Sequence, residues 1–520
     1  MLGLRSTAVQ PTPLPLALVV GWAAVACGGS SAPITPIAPD GDGGADATSS
    51  PESGGTDAPA GGSSDAASDG AEAGPTVSAT VTVTPSTTVA TLPAGMVGLS
   101  YEKSHLTDGY FTGDNAALVA LFKLLGPQLL RVGGNSVDET TWYTAAAADA
   151  GAATIITKAD VDGLAAFARA AGWDVLYGVN MKTSNPALAA QETAYASGSL
   201  GANLYGFEIG NEVDLYTSTA QSATWSYPIF TTQWQDFEAA IEAATPGAPL
   251  TGPASASHYA TWTVPFATSE GTHIELLTQH YYRANGQDAT STLTLLLQPD
   301  PALLTELKAL QASVASPAKG SVGAYRLTEC NSFYNGGAPD VSDAFGTALW
   351  AIDFLFTNAL YGSAGGNFHG GGNGPGYTPI ADANGVVVGA RPIFYGLLFF
   401  TRVGAGTLVG TASTVPATLN FTTYAVEASD KTLNIVLVNK DPTTAVEVTV
   451  DAGEAVASAS VTRLQAPALD ATTGVTLAGA GIDPTGGWSP AAPPALPVSG
   501  HTITVEVPPA SAALVHAVPQ

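Results

Sequence analysis

From Met96 onward the chain repeats one pattern: a short apolar run, a polar residue at its end, then a longer stretch with helical periodicity. The apolar runs are Met96–Tyr101, Gln128–Val132, Asp174–Val179, Leu204–Ile209, Pro249–Pro253, Glu275–His280, Gly323–Thr328 and Gly365–Phe368. Amphipathic stretches such as Asn115–Leu125, Asp162–Ala171, Thr232–Ala244, Pro301–Val314 and Ser342–Leu360 separate most of them. Eight strands with intervening helices over roughly 300 residues predict a (β/α)8 TIM barrel. In such a barrel the C-terminal strand ends converge on one mouth. Glu102, Arg131, Asn211, Glu212, His280, Tyr282, Glu329 and His369 all sit at or just past those ends, so the fold gathers them on one face.

Near Gly406 the period changes to two. Thr432–Asn439, Ala445–Val450 and Thr502–Val507 alternate as strands between Pro, Gly and Ala turns, which predicts a C-terminal β-sandwich. Thr76–Thr84 alternates in the same way and could add a strand to that sandwich. The expected organisation is a signal segment over 1–26, a linker over 27–75, a joining strand region over 76–95, the barrel over 96–405 and the sandwich over 406–520.

The N-terminus carries Arg5 and then the apolar stretch Leu14–Ala26, too short to span a bilayer. Ala24-Val25-Ala26-Cys27 resembles a bacterial lipobox, in which Cys27 would be lipidated, although Ala24 stands where Leu is usual. Ordinary cleavage after Ala26 is the alternative. Residues 28–75 hold eight acidic side chains and no basic one among Gly, Ser, Ala, Pro and Thr. Such a segment buries too little apolar surface to fold, and its charge extends it. A lipidated cysteine before it reads as a tether holding an exported domain at a membrane or cell surface.

Charge excludes other classes. The chain has 16 Lys and Arg against 43 Asp and Glu, a net charge of −27. Phosphate backbones would repel it, so nucleic acid is not an expected partner. Two cysteines rule out a disulfide scaffold, and seven histidines without HxxxH or HxH spacing give no support for a metal site. Cys330 is expected to pack away from the mouth, since strand neighbours face opposite sides.

The chemistry concentrates in two motifs. Phe207-Glu208-Ile209-Gly210-Asn211-Glu212 closes the fourth strand, and Arg326-Leu327-Thr328-Glu329 closes the seventh. In a barrel those ends face each other across the mouth. Two carboxyls facing one sugar are the minimum equipment for glycoside hydrolysis. An Asn before the first can bond a sugar hydroxyl beside the scissile bond. Arg131 could keep Glu329 ionised, or could simply be a buried ion pair.

Longer stretches sharpen this. Gly98-Leu99-Ser100-Tyr101-Glu102, Leu130-Arg131-Val132-Gly133-Gly134-Asn135-Ser136, Glu208–Glu212, Glu329-Cys330-Asn331-Ser332-Phe333-Tyr334 and the loop His369–Ile380 together resemble glycoside hydrolase family 79, the β-glucuronidase and heparanase family. The likeness covers about residues 78–520. It implies a retaining mechanism with Glu212 as acid/base and Glu329 as nucleophile, with no metal or cofactor. It also implies Tyr334, Asn335, Gly336 and Tyr377 as contacts of the sugar carboxylate, and Tyr282 as a partner of the nucleophile. Each tyrosine could instead be rim packing. Glu102 could bond sugar hydroxyls or be a surface acid; His369 could be a ligand or structural, and His280 a supporting residue.

The expected function is therefore a retaining exo-β-glucuronidase acting on a glucuronic-acid-containing carbohydrate, as a monomer. An endo-acting, heparanase-like enzyme is the nearer alternative, and the 15 basic residues after residue 75 argue against its basic cleft. A surface carbohydrate-binding lipoprotein without activity is the alternative from another class.

Overall fold

The computed structural model describes residues 74–144, 154–315 and 323–520. Cys27, the signal segment and the linker lie outside the described residues.

Eight parallel strands close into a barrel. In chain order they are β1 Val97–Glu102, β2 Leu129–Gly133, β3 Asp174–Val179, β4 Leu204–Ile209, β5 Leu250–Ser255, β6 Leu276–Tyr282, β7 Tyr325–Asn331 and β8 Gly366–Gly370. Each pairs with its neighbour in sequence, and β8 pairs with β1. Helices cover the outside and side chains fill the inside, so these strands are buried on both faces and read as apolar runs.

Local chemistry sets the helix starts. The Thr157 hydroxyl accepts the Asp160 N–H at 3.4 Å while the Asp160 carboxylate accepts the Thr157 N–H at 2.7 Å, a reciprocal cap on Lys158–Ala171. That helix stops at Gly172 in the left-handed conformation. Asn185 and Asp300 cap Pro186–Leu200 and Pro301–Val314, each with a proline in the first turn.

Several boundaries differ from the periodicity, and three have a local cause. The helix after β4 begins at Tyr227 rather than Thr232, because Ser226-Tyr227-Pro228 starts it a turn earlier. The helix after β7 begins at Gly346 rather than Ser342. Ser342 is drawn inward instead: its hydroxyl bonds Ser332 Oγ at 2.8 Å and accepts the Ala338 N–H at 2.9 Å. β7 runs on to Asn331 because Glu329, Cys330 and Asn331 continue the ladder opposite His280, Tyr281 and Tyr282.

The second layer is one ten-stranded sheet. Its core mixes residues from opposite ends of the strand order, among them Val448 and Val505 with Val461 and Val515, so the sheet folds over into a sandwich. Thr76–Leu92 lies inside it, parallel to Ala445–Asp451 and antiparallel to Gly406–Ser413. The described chain thus begins in the sandwich, forms the barrel and returns. Phe356, on the helix after β7, stacks on Tyr424 of the sandwich at 4.1 Å and 7°. Among the described residues no helix is long and apolar enough to cross a membrane.

Candidate active site

Glu329 projects from β7 into the mouth, where strand register brings it opposite His280. The Arg131 guanidinium, fully buried on β2, donates to Glu329 Oε2 at 2.6 Å, to Glu208 Oε2 at 2.5 Å, to Asn211 Oδ1 at 2.7 Å and to Ser100 Oγ at 3.2 Å. The Tyr282 hydroxyl donates to Glu329 Oε1 at 2.8 Å, so both carboxylate oxygens are engaged. Burial alone would push the Glu329 carboxyl up. The charges of His369, His280 and Arg131, with the Tyr282 bond, outweigh burial and hold it well below the usual carboxylate range. Glu329 is therefore an oriented carboxylate whose ionised form is strongly favoured.

Glu212 stands on a different footing. It follows β4 with φ +48°, a left-handed conformation that costs of order 1–3 kcal/mol in a residue with a side chain. Its N–H bonds Ala254 O at 2.8 Å, and its carboxyl lies 3.3 Å from His280 Nδ1. Oxygens of Glu212 and Glu329 come within 4.8 Å of each other. Carboxyls that share one sugar in a retaining mechanism stand about 5–5.5 Å apart. With His280 the two could form a ligand set for a cation, but the guanidinium already bonded to Glu329 would repel one.

A pocket of about 460 Å3 is walled by Glu102, His369, Tyr377 and the Asn335–Gly337 turn, and His369 links it to Glu329, its Nδ1 lying 3.7 Å from Glu329 Oε2. Glu102 accepts the Ser136 N–H at 2.7 Å and lies 3.5 Å from His369 Nε2. Burial raises its carboxyl, but His369 and the Ser136 bonds bring it below its ordinary value. For His369, burial favours the neutral ring, yet Glu329 and Glu102 outweigh it and raise its pKa. Its Nδ1 also meets Ser100 Oγ at 3.0 Å. Tyr377 packs 5.9 Å from Tyr282 and 6.0 Å from His369, centroid to centroid. Tyr334 lies at the rim, 45% exposed, and Asn335 donates its side-chain amide to Asn285. Asn335, Gly336 and Gly337 all have positive φ, and the Tyr377 N–H bonds Gly336 O, which ties the two loops together. Cys330 Sγ faces the other way, buried against Asn367 O.

Several residues at the site were not among the sequence candidates. Glu208 is fully buried on β4, paired with Arg131 and accepting the Thr328 hydroxyl at 2.9 Å; it opens the Glu208–Glu212 motif, and an acid in an apolar strand was the sign that it needs a buried partner. His105 also reaches the pocket, its Nδ1 2.7 Å from Asp108. Burial opposes its charge, but Asp108, Asp382 and Glu102 raise its pKa. With raised pKa values, His105 and His369 favour positive charge on this wall, beside the neutral tyrosine and backbone donors. The long loops nonetheless contribute no Lys or Arg to the wall, since Arg391 is turned to Asn373.

Known proteins resemble the chain in parts of its sequence and in its fold. Residues 423–514 match the glycosyl hydrolase family 79 C-terminal beta domain. A protein of Aspergillus niger named Beta-glucuronidase is 29% identical over 308 residues, which is 51% of this chain and 55% of that protein. One of the same name from Neurospora crassa is 26% identical over 218 residues, 38% of this chain and 39% of that protein. The chain thus aligns with about half or less of the length of these relatives. Among solved structures, a 4-O-α-L-rhamnosyl-β-D-glucuronidase from Fusarium oxysporum superposes with a TM-score of 0.69 at 21% identity, over 85% of this chain and all of that one. An α-L-arabinofuranosidase from Thermotoga maritima gives 0.61 at 15% identity, over 84% of this chain and 99% of that one. These likenesses are of fold: a (β/α)8 barrel with an attached β domain.

Proposed function

We propose that the chain is a retaining exo-β-glucuronidase of the family 79 kind, releasing β-linked glucuronic acid from a glycan or glycoconjugate. The observation that carries this is the pair of carboxyls at the ends of β4 and β7, with oxygens within 4.8 Å, one of them bonded by the buried Arg131 guanidinium. In the first step Glu329 Oε attacks the anomeric carbon and the bond to the leaving oxygen breaks. Glu212 gives that oxygen its proton. In the second step Glu212 takes a proton from water, the water oxygen bonds the anomeric carbon, and the ester to Glu329 breaks. Arg131 and Tyr282 orient Glu329 for both displacements. Tyr377, Tyr334, the Asn335–Gly336 turn, His369 and Glu102 surround the glycone. The two relatives named Beta-glucuronidase support the choice of sugar. We read the enzyme as a monomer, exported and tethered through Cys27.

The test is turnover of nitrophenyl β-glucuronide, with the anomer of the first product read by NMR. The β anomer is expected. Glu329→Ala should abolish turnover with the fold intact, and azide should restore release of nitrophenol while giving an inverted glycosyl azide. A Glu329→Ala protein of near wild-type activity overturns the assignment. For the tether, Cys27→Ser should release active protein from the membrane fraction; unchanged partitioning overturns that part alone.

A further inference from the structure

The segment Gly210–Tyr216 carries Glu212 on a left-handed residue, and two buried acids brace it from outside the reaction centre. On one side the Tyr216 hydroxyl accepts the Asn211 N–H at 3.2 Å and donates to Asp138 Oδ1 at 2.6 Å. Both side chains are buried, and Asp138 belongs to the turn after β2, not to the Glu212 segment. On the other side Asp214, its side chain wholly buried, accepts the N–H groups of Ala256 at 2.7 Å, Ser257 at 3.0 Å and His258 at 2.9 Å from the loop after β5. The segment is thus pinned to its neighbours around the barrel on both flanks. A fixed backbone is needed because Glu212 makes few bonds of its own: His280 Nδ1 lies 3.3 Å from its carboxyl, and the side chain is 21% exposed.

We propose that Tyr216 and Asp138 are positioning residues for proton transfer by Glu212. Through the Asn211 N–H they hold the turn that aims Glu212 at the glycosidic oxygen, and neither touches the sugar. The inference rests on the retaining glycosidase reading above. It has a consequence that a merely structural pair does not share. Proton donation matters most when the leaving group is poor, and hardly at all when it departs as a stable phenolate. Misaiming Glu212 should therefore raise the dependence of the first step on leaving-group acidity.

The experiment measures kcat/KM, which reports the first step, for dinitrophenyl, nitrophenyl and phenyl β-glucuronides. Wild type is compared with Tyr216→Phe, Asp138→Ala and Asp138→Asn. For Tyr216→Phe and Asp138→Ala, the phenyl substrate should lose roughly 10- to 100-fold. The dinitrophenyl substrate should stay within about threefold, which also certifies the fold. Asp138→Asn keeps an acceptor for the tyrosine and should recover most of the phenyl rate. Equal losses on all three substrates, or no loss on any, overturn the proposal while leaving the glucuronidase reading in place. A wild type that turns over none of the three removes both.

Discussion

At the level of single residues, charge is arranged by neighbours rather than by composition. The protein is strongly acidic, yet around Glu329 it assembles one guanidinium and two imidazoles. His369 shows the consequence. Burial opposes its charge, but Glu329 and Glu102 raise its folded pKa above the ordinary value. A raised folded pKa contributes stability that is complete below the unfolded value of about 6.5 and is lost as pH rises through the folded value. His369→Gln removes that contribution. Wild type should melt above the variant by about 1 °C for each kcal/mol near pH 5, and the gap should narrow toward pH 9. Thermal melts across that range check it, and a gap that widens with pH contradicts it. Sugar choice belongs to this scale too. Tyr377→Phe removes a hydroxyl from the pocket wall, and a hydrogen bond to a charged carboxylate is worth about 1.5–3 kcal/mol. It should lower kcat/KM for glucuronides by roughly 10- to 150-fold and hurt the matching glucoside far less. The measurement is the ratio of the two constants. Residue types at strand ends made Glu212, Glu329, Arg131 and His369 readable from the sequence. His105 and Asp138 were not, because both sit in short 3-10 turns where no periodicity marks a direction.

Elements explain why the strands were readable when some of the chemistry was not. Barrel strands buried on both faces must be apolar, so eight apolar runs stand out whatever lies between them. Helix starts depend on single caps and turns, which periodicity does not mark: Ser342 lies in the turn before the helix at Gly346 and bonds Ser332 and Ala338 through its hydroxyl. β2 carries a constraint that bears directly on the chemistry. Residues two apart in a strand share a face, so Gly133 lies beside Arg131. A Cβ at Gly133 would stand 2.5 Å from Arg131 Cζ. The guanidinium cannot yield without breaking bonds to Glu208, Glu329 and Asn211. Gly133→Ala should therefore destabilise the protein by about 1–3 kcal/mol, as overpacking does. It should also cost more than about tenfold in kcat, since an ångström of misplacement near a nucleophile is expensive in rate. Melting temperature and nitrophenyl glucuronide turnover, measured together, check both halves. A stable variant with full activity would mean that Arg131 has another place to go.

On the scale of the whole molecule, the sandwich is bound to the barrel through the helix that follows β7, the strand bearing Glu329. Nothing in the sequence announced the contact, because its partners lie 87 residues apart and neither belongs to a motif. Lys440, 2% exposed in its side chain, pairs with Asp353 on that helix. Thr422 and Tyr424 donate to the same carboxylate oxygen at 2.6 and 3.1 Å, and Lys440 also donates to Thr422 at 3.1 Å. Breaking a buried pair by removing one partner costs about 3–5 kcal/mol, since the other charge is stranded. Asp353 keeps 20% of its side-chain exposure and can recover some hydration, which favours the lower end of that range for Lys440→Met. Asp353→Leu strands the more deeply buried ammonium and also orphans two hydroxyls, so it should cost more. The double variant Asp353→Leu/Lys440→Met leaves no charge behind and should regain most of the loss, because an apolar pair can replace a buried ion pair at little cost. Denaturant unfolding of the three variants measures the cycle, and a double variant no better than Asp353→Leu would show that the hydroxyl network, not the charge pair, joins the two layers. The same melts bear on function. If the sandwich holds the helix after β7 in place, both single variants should lose turnover as they lose stability, and the double variant should recover the two together.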